Sequence, residues 1–400
     1  MNAAERAEAV AQPGPRPKGG GTAVAGLIAV FVIGAASFVY ALASEASRLD
    51  FPLLTVTFLY LMGISQAGVT FSAIMRLVGA QWSKPYYRLG ELATLAFFPF
   101  AMLGFLLIYT YAREELFYWL SPGADEHLSP WLNIDWLLIR NIFGLLLFYG
   151  LSAVYVLKAL RPDLPGQAKP DHRTVERELR SMSSYVLLAF VVCNTLLSWD
   201  FGMMLIEHWH STVFPIHFFF GNVFAGCAAL ILFPAVLGRS SMDSPFGPDQ
   251  VRNLGMLITA YTLLWMYFYW AQFFVIWFGN LPHESDPLWR QMYGHYAAYY
   301  WTMMSACFFI PFVASIFAVV KRSLLLMSIL ALVINAGVWL NKYLMVVPVF
   351  SPDDRPFDSW LDASVALGLL AGFLAVLVLL ARRLPVYSYW EMNLKPEPRR

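Results

Sequence analysis

Ten long apolar stretches follow one another along this chain, and they leave no contiguous sequence for a soluble core. A helix that crosses a bilayer needs about 20 mostly apolar residues. Such stretches occur at about 22–44, 52–79, 87–112, 134–160, 183–206, 212–238, 252–279, 296–320, 323–348 and 360–382. Only 13% of the residues are charged and 59% are hydrophobic, against about 25% charged in an average soluble domain. The charge that would solvate a globular surface is missing, so the expected fold is an all-α polytopic membrane protein of ten spans. The longest connections are 113–133 and 161–182. Residues 1–21, containing GPRPKGGG, read as a disordered arm, residues 22–385 as one transmembrane domain, and residues 386–400 as a tail. Residues 171–182 (DHRTVERELRSM) read as a short charged helix beside the membrane.

Lysine and arginine set the orientation, because they concentrate in cytoplasmic connections. They gather at both ends and in the 2–3, 4–5, 6–7 and 8–9 connections, as in Arg76, Lys84, Arg88, Lys158, Arg161, Arg177, Lys321, Arg322, Arg382 and Arg383. The opposite connections carry Glu114, Glu115, Asp353 and Asp354. Both termini are therefore expected in the cytoplasm. Ala41-Leu42-Ala43 resembles a cleavage site, but the apolar stretch before it is too long for a signal peptide, so span 1 is read as retained. A net charge of +1 points away from a nucleic-acid partner. Cys193, Cys227 and Cys307 form no CxxC pair, so a metal site, an iron–sulfur cluster or covalent haem is not expected. Haem held by two histidines is not expected either, since His217 is the one histidine well inside a span.

Chemistry concentrates at Ser198–Thr212, SWDFGMMLIEHWHST. It sets Asp200, Glu207, His208 and His210 between spans 5 and 6, where ionisable groups are costly and mark function by default. Asp200 and Glu207 are seven apart and should share a helix face if span 5 continues. Histidine passes protons near neutral pH, so these four residues are candidates for a substrate or proton site. Further intramembrane polar residues could form a proton path: Glu91 near the inner end of span 3, Gln66, Asn194 and Asn222 near mid-membrane, and Arg140 and Lys342 nearer the outside. Arg140 is also placed to neutralise Asp200. Gly63, Ser65, Ala67 and Gly68 in span 2 read as a close-packing surface.

Several local patterns resemble one family. WSKPYYRLGE (82–91), WLNIDWLLIRN (131–141), the 198–212 stretch and WFGNLPHE (277–284) are similar to motifs of the NrfD-like, polysulfide reductase membrane subunit family. The chain most resembles the shorter of the two ten-span members in alternative complex III, a bacterial quinol:electron-acceptor oxidoreductase. The resemblance covers roughly residues 25–385. It implies two four-helix bundles plus two further spans, and a multi-pass protein of the bacterial inner membrane. It also implies a quinone such as menaquinone or ubiquinone as ligand, with no covalent cofactor. The partners implied are membrane lipids, a second NrfD-like subunit, an iron–sulfur subunit and multihaem cytochrome c subunits. Asp200 and His208 would then belong to the outer quinol or proton site, and Glu91 and Arg140 to the proton path. Asp200→Asn and His208→Ala are accordingly expected to lower quinol-dependent electron transfer without loss of assembly. Ten spans with midplane amides also allow a secondary transporter, although no internal repeat is evident.

Overall fold

The computed structural model describes residues 21–44, 49–120, 129–164, 171–207, 209–236, 246–350 and 359–393. The expected N-terminal arm up to residue 20, His127, His208 and the last part of the tail lie outside them.

Ten helical segments are long and apolar enough to cross a membrane. They are α1 (Gly21–Ala43), α2 (Phe51–Val78), α3 (Lys84–Leu107), α4 (Ile134–Leu160), α5 (His172–Asp200), α6 (Phe214–Val236) and α7 (Pro248–Gly279). A short helix, α8 (Pro282–Met292), follows on the outer side. Span 8 is then broken into α9 (Ala297–Met304), a π-helical turn and α10 (Ile310–Ile316). The last spans are α11 (Leu324–Phe350) and α12 (Trp360–Arg383), followed by the short α13 (Tyr389–Asn393).

Helices α2 to α5 pack as one bundle, and α6, α7, α9–α10 and α11 as a second. The bundles join where α2 meets α6 and α11, and where α5 meets α6. Helices α1 and α12 pair with each other and lean on α3. This is the architecture of two bundles plus two spans. Helix α2 is the most deeply buried span, and its small residues explain why. Gly68 lies against the backbone of Gly90 on α3, where an added Cβ would run into the Gly90 carbonyl. In lipid, where apolar burial drives little association, such backbone proximity supplies the packing. Gly68→Leu is expected to force α2 and α3 apart, at a cost of at least about 1–3 kcal/mol. A lower melting temperature and aggregation on size exclusion in detergent would register it; wild-type behaviour of both would rule the contact out as a packing determinant.

One sequence expectation is corrected. The charged stretch 171–182 is not a separate helix but the first three turns of α5, which runs without a break from His172, capped by the Asp171 side chain on Arg173 N–H at 3.3 Å. Within the expected tail, the described residues 386–393 pack against the bundle. Trp390 and Glu391 are buried, and Trp390 donates its indole N–H to Ala159 O at 3.0 Å.

Candidate functional site

The described residues of the stretch 198–212 do not continue as one helix. Helix α5 stops at Asp200, the chain turns at Phe201-Gly202, and Met203–Leu205 make a single 3-10 turn. Gly202 is needed there, because a Cβ would meet both the Phe214 ring and the Ser198 carbonyl. Glu207 therefore does not share a helix face with Asp200. It is exposed, as is His210, while Asp200 is fully buried.

Asp200 is held by four donors. Arg140 Nε reaches Oδ2 at 2.8 Å and Nη2 reaches Oδ1 at 2.6 Å. Asn141 Nδ2 adds a bond to Oδ2 at 2.6 Å, and Trp131 Nε1 one to Oδ1 at 3.1 Å. The guanidinium also lies 4.3 Å from the centre of the Trp131 ring and donates to Trp131 O at 2.8 Å. The carboxylate's lone pairs are thus committed, which suits a group that ties α4 to α5 rather than one that exchanges protons. Arg140 neutralises Asp200, as its position in span 4 allowed, and it lies with Asp200, not with Glu91.

Glu91 belongs to a second ionic cluster at the inner face. It sits between Arg76 Nη1 at 2.6 Å and Arg88 Nη1 at 3.1 Å. Arg76 also grips Glu391 of α13 through both carboxylate oxygens, at 2.8 and 2.9 Å, and donates to the Tyr155 hydroxyl at 2.7 Å. Arg88 reaches Asp163 at 3.0 Å. Burial by itself would raise the Glu391 carboxyl, but the Arg76 charge and hydrogen bonds, the Ser388 hydroxyl and the Arg88 charge together outweigh it and leave it below its ordinary range.

The three midplane amides form one chain. Asn222 Nδ2 donates to Asn194 Oδ1 at 2.7 Å, and Asn194 Nδ2 donates to Gln66 Oε1 at 2.8 Å. They join α6, α5 and α2 where the two bundles meet; Gln66 Nε2 donates on to Cys193 Sγ at 3.4 Å, and Asn194 Nδ2 also to Phe190 O at 3.1 Å.

Buried polar atoms without partners occur in both bundles, Thr55, Trp119 and Ser152 among them, but several lie close together in the second bundle, towards its outer end. Neither ring nitrogen of His217 on α6 has a hydrogen-bond partner, nor does Trp265 Nε1 on α7, the Tyr269 hydroxyl or Lys342 Nζ on α11. All five atoms are buried. The rings of His217, Trp265 and Tyr269 stand 5.3–5.5 Å apart, and Lys342 Nζ lies 2.9 Å from the centre of the Phe218 ring. The Asn341 amide is a polar neighbour of His217, and Tyr300 of Tyr269. Buried polar groups are nearly always satisfied, so such a concentration makes this place a candidate site.

A chamber of about 30 Å³ adjoins these groups, lined by His217, Tyr269, Gln272, Asn341 and Trp209. It shares Ile206, Pro287 and Gln291 with an open cavity of about 560 Å³ at the outer face. The larger cavity has apolar walls from Leu205, Leu344, Pro348 and Val349, and polar ones from Tyr118, Glu207, Asp286 and Arg290. Burial, with Glu207 nearby, pushes the Tyr118 phenol above its ordinary value. Helix α8 forms one wall, and Trp209 Nε1 ties the 201–213 segment to it through Glu284 O at 3.2 Å. Among the described residues, no three His, Cys, Asp or Glu side chains converge as metal ligands.

The polysulphide reductase, NrfD, family model matches residues 26–351. The chain belongs to the NrfD family. NrfD proteins are membrane subunits of quinol oxidoreductase complexes and work with iron–sulfur subunits. No curated protein is significantly similar to the chain in sequence. Set beside the candidate residues, this NrfD chain brings Glu207 to the outer cavity and Lys342 next to the chamber behind it. It locks Asp200 and Glu91 into separate ion pairs and leaves Gln66, Asn194 and Asn222 between the bundles. Trp265, Tyr269 and Gln272 are readable in the sequence as aromatic and polar residues of span 7, the aromatics able to take a flat quinone ring, whereas Gln291 carries no such signal.

Proposed function

We propose that this chain is a membrane subunit of a quinol:electron-acceptor oxidoreductase of the alternative complex III type, in the inner membrane of a bacterium. In this reading it works beside a second NrfD-like subunit, and the electrons leave through iron–sulfur and multihaem cytochrome c subunits. The quinol, of menaquinone or ubiquinone type, occupies the outer cavity. The observation that carries the reading is the cavity itself. Its volume suits a small organic ligand, its walls are apolar on one side and polar on the other, and buried polar groups without partners lie behind it. A flat ring fits such walls, Glu207 at the mouth can accept a hydroxyl proton, and His217 stands deeper as a group that can both donate and accept. The midplane amides favour this reading over a transporter, because they bond to one another instead of facing a solute.

The test is made on the complex purified from its native host in mild detergent. Multihaem and iron–sulfur subunits and a second NrfD-like protein should co-purify. His217→Phe and Glu207→Gln should each lower quinol-dependent electron transfer by about 10²-fold or more, the range for losing a positioned proton acceptor, with the subunit composition unchanged. Wild-type turnover in both variants would remove the outer cavity from the mechanism, and a chain that purifies alone would remove the complex.

A further inference from the structure

The chamber behind the outer cavity has the size for water and not for a ring. Its volume is about 30 Å³, above the roughly 10–15 Å³ that one water needs, and a buried water also wants about two to four polar partners. Five polar side chains from four helices line it: His217 of α6, Tyr269 and Gln272 of α7, Gln291 of α8 and Asn341 of α11. Tyr269 and Gln272 are three apart, so α7 turns both to one side.

This lining is chemically two-sided. Each amide accepts through its oxygen and donates through its NH2, the phenol does both, and a neutral imidazole donates from one nitrogen and accepts at the other. Neither His217 nitrogen nor the Tyr269 hydroxyl has a hydrogen-bond partner. A water that passes a proton must accept on one side and donate on the other, and walls of this kind hold it in either orientation. Among the five, His217 is the side chain of a type that takes up a proton near neutral pH. Gln291 connects this chamber to the outer cavity. Ile206, Pro287 and Gln291 line both spaces, and of the three Gln291 alone has a polar side chain.

Resting on the outer cavity as the quinol site, we propose that the chamber is a water relay that carries one quinol proton to His217, with Gln291 as the positioning residue where the two spaces meet. Oxidation of a quinol gives up two protons and two electrons. One hydroxyl proton goes to Glu207. At the other hydroxyl the O–H bond breaks towards the nearest chamber water, and the water passes one of its own protons to the free nitrogen of His217. The electrons leave to the iron–sulfur and haem subunits of the complex. Once the quinone has gone, His217 returns its proton along the same waters to the outer face.

Two measurements on the complex in lipid nanodiscs test this. X-ray hydroxyl-radical footprinting makes radicals from bound water and marks the side chains beside it. Met345 lines the chamber, whereas the buried Met62 and Met303 have the same sulfur chemistry and line neither space. Met345 should oxidise several-fold faster than either, and Gln291→Leu should remove most of that difference. With short-chain ubiquinol and menaquinol analogues, Gln291→Leu should lower kcat by about 10²-fold, the lower end for losing a proton acceptor reached through water, at an unchanged KM. Gln291→Glu, which still holds a water, should restore most of the rate. Unchanged subunit composition checks assembly of both variants. Met345 as inert as Met62 makes the chamber dry and overturns the relay. A raised KM at unchanged kcat in Gln291→Leu makes Gln291 a contact to the ring and overturns it too. Glu207→Gln separates the remaining failures. If it alone lowers turnover, the relay is wrong and the quinol site stands; if neither variant does, the site reading falls as well.

Discussion

Arg140→Ala is expected to cost about 3–5 kcal/mol of stability, because it leaves a buried carboxylate without its counter-charge. Asp200 is fully buried, and both of its oxygens accept from the Arg140 guanidinium. Asn141 and Trp131 would remain as donors, but neither carries charge. Asp200→Asn should be costly in the same direction, since it strands the guanidinium. This outcome differs from the expectation read from sequence, in which Asp200→Asn impairs turnover and spares assembly. Both single variants should show reduced yield of folded protein and a lower melting temperature in detergent. The double variant Arg140→Met/Asp200→Leu should recover much of the loss, because a buried ion pair exchanged for apolar side chains of similar volume is often neutral or better. If Asp200→Asn instead assembles normally and loses quinol-dependent turnover, Asp200 is a proton-exchanging group after all and the locking role is wrong.

The spans were legible because the bilayer imposes a length and an apolar composition that few other structures share. Their boundaries failed where charge entered a helix. The first three turns of α5 extend beyond the membrane-length apolar stretch, and a hydropathy reading cannot tell a helix that continues into water from a separate one. Residues 198–212 misled for a different reason. Proximity in sequence became proximity in space only up to Asp200, where the turn at Phe201-Gly202 sends the chain across to the second bundle. Asp200 stays with α4, and Glu207 goes to the outer cavity.

The cluster of unpartnered groups was nearly invisible as a cluster for the opposite reason. His217, Trp265, Tyr269 and Lys342 come from three helices, spread over 125 positions (342 − 217). Each looks ordinary in its own span: an aromatic among aromatics, or one polar residue near a helix end. Only their packing shows that none has found a partner. By contrast, Gln66, Asn194 and Asn222 looked like a path in sequence and turn out to bond to one another. Polar residues within spans thus announce that something polar happens at that depth, and hydrogen-bond satisfaction decides whether it is assembly or binding. That is why Lys342 remains a functional candidate while Asp200 becomes a structural one.

The inner face yields the second large effect. Glu391→Ala is expected to release the C-terminal segment and to destabilise the first bundle by about 3–5 kcal/mol, since it removes the two-point partner of the buried Arg76. Removing Glu391 also frees Ser388, whose hydroxyl donates to it at 2.6 Å. Arg76 would retain Glu91 at 2.6 Å, but that carboxylate is shared with Arg88, so two guanidinium groups would then draw mainly on one buried acid and Asp163. The sign of the pH dependence follows from the lowered Glu391 carboxyl. Its contribution is complete above the ordinary glutamate value of about 4.3 and fades as the pH falls below it through the lower folded value. Acidification should therefore loosen the segment in the wild type and change little in Glu391→Gln, which has no charge to lose. Limited proteolysis followed by mass spectrometry reads this directly: cleavage between residues 384 and 393 should rise sharply in Glu391→Ala at neutral pH, and in the wild type only under acid. Equal protection of the segment in both proteins would mean that α13 is held by Trp390 and its apolar neighbours, and that the ion pair contributes nothing to closing the inner face.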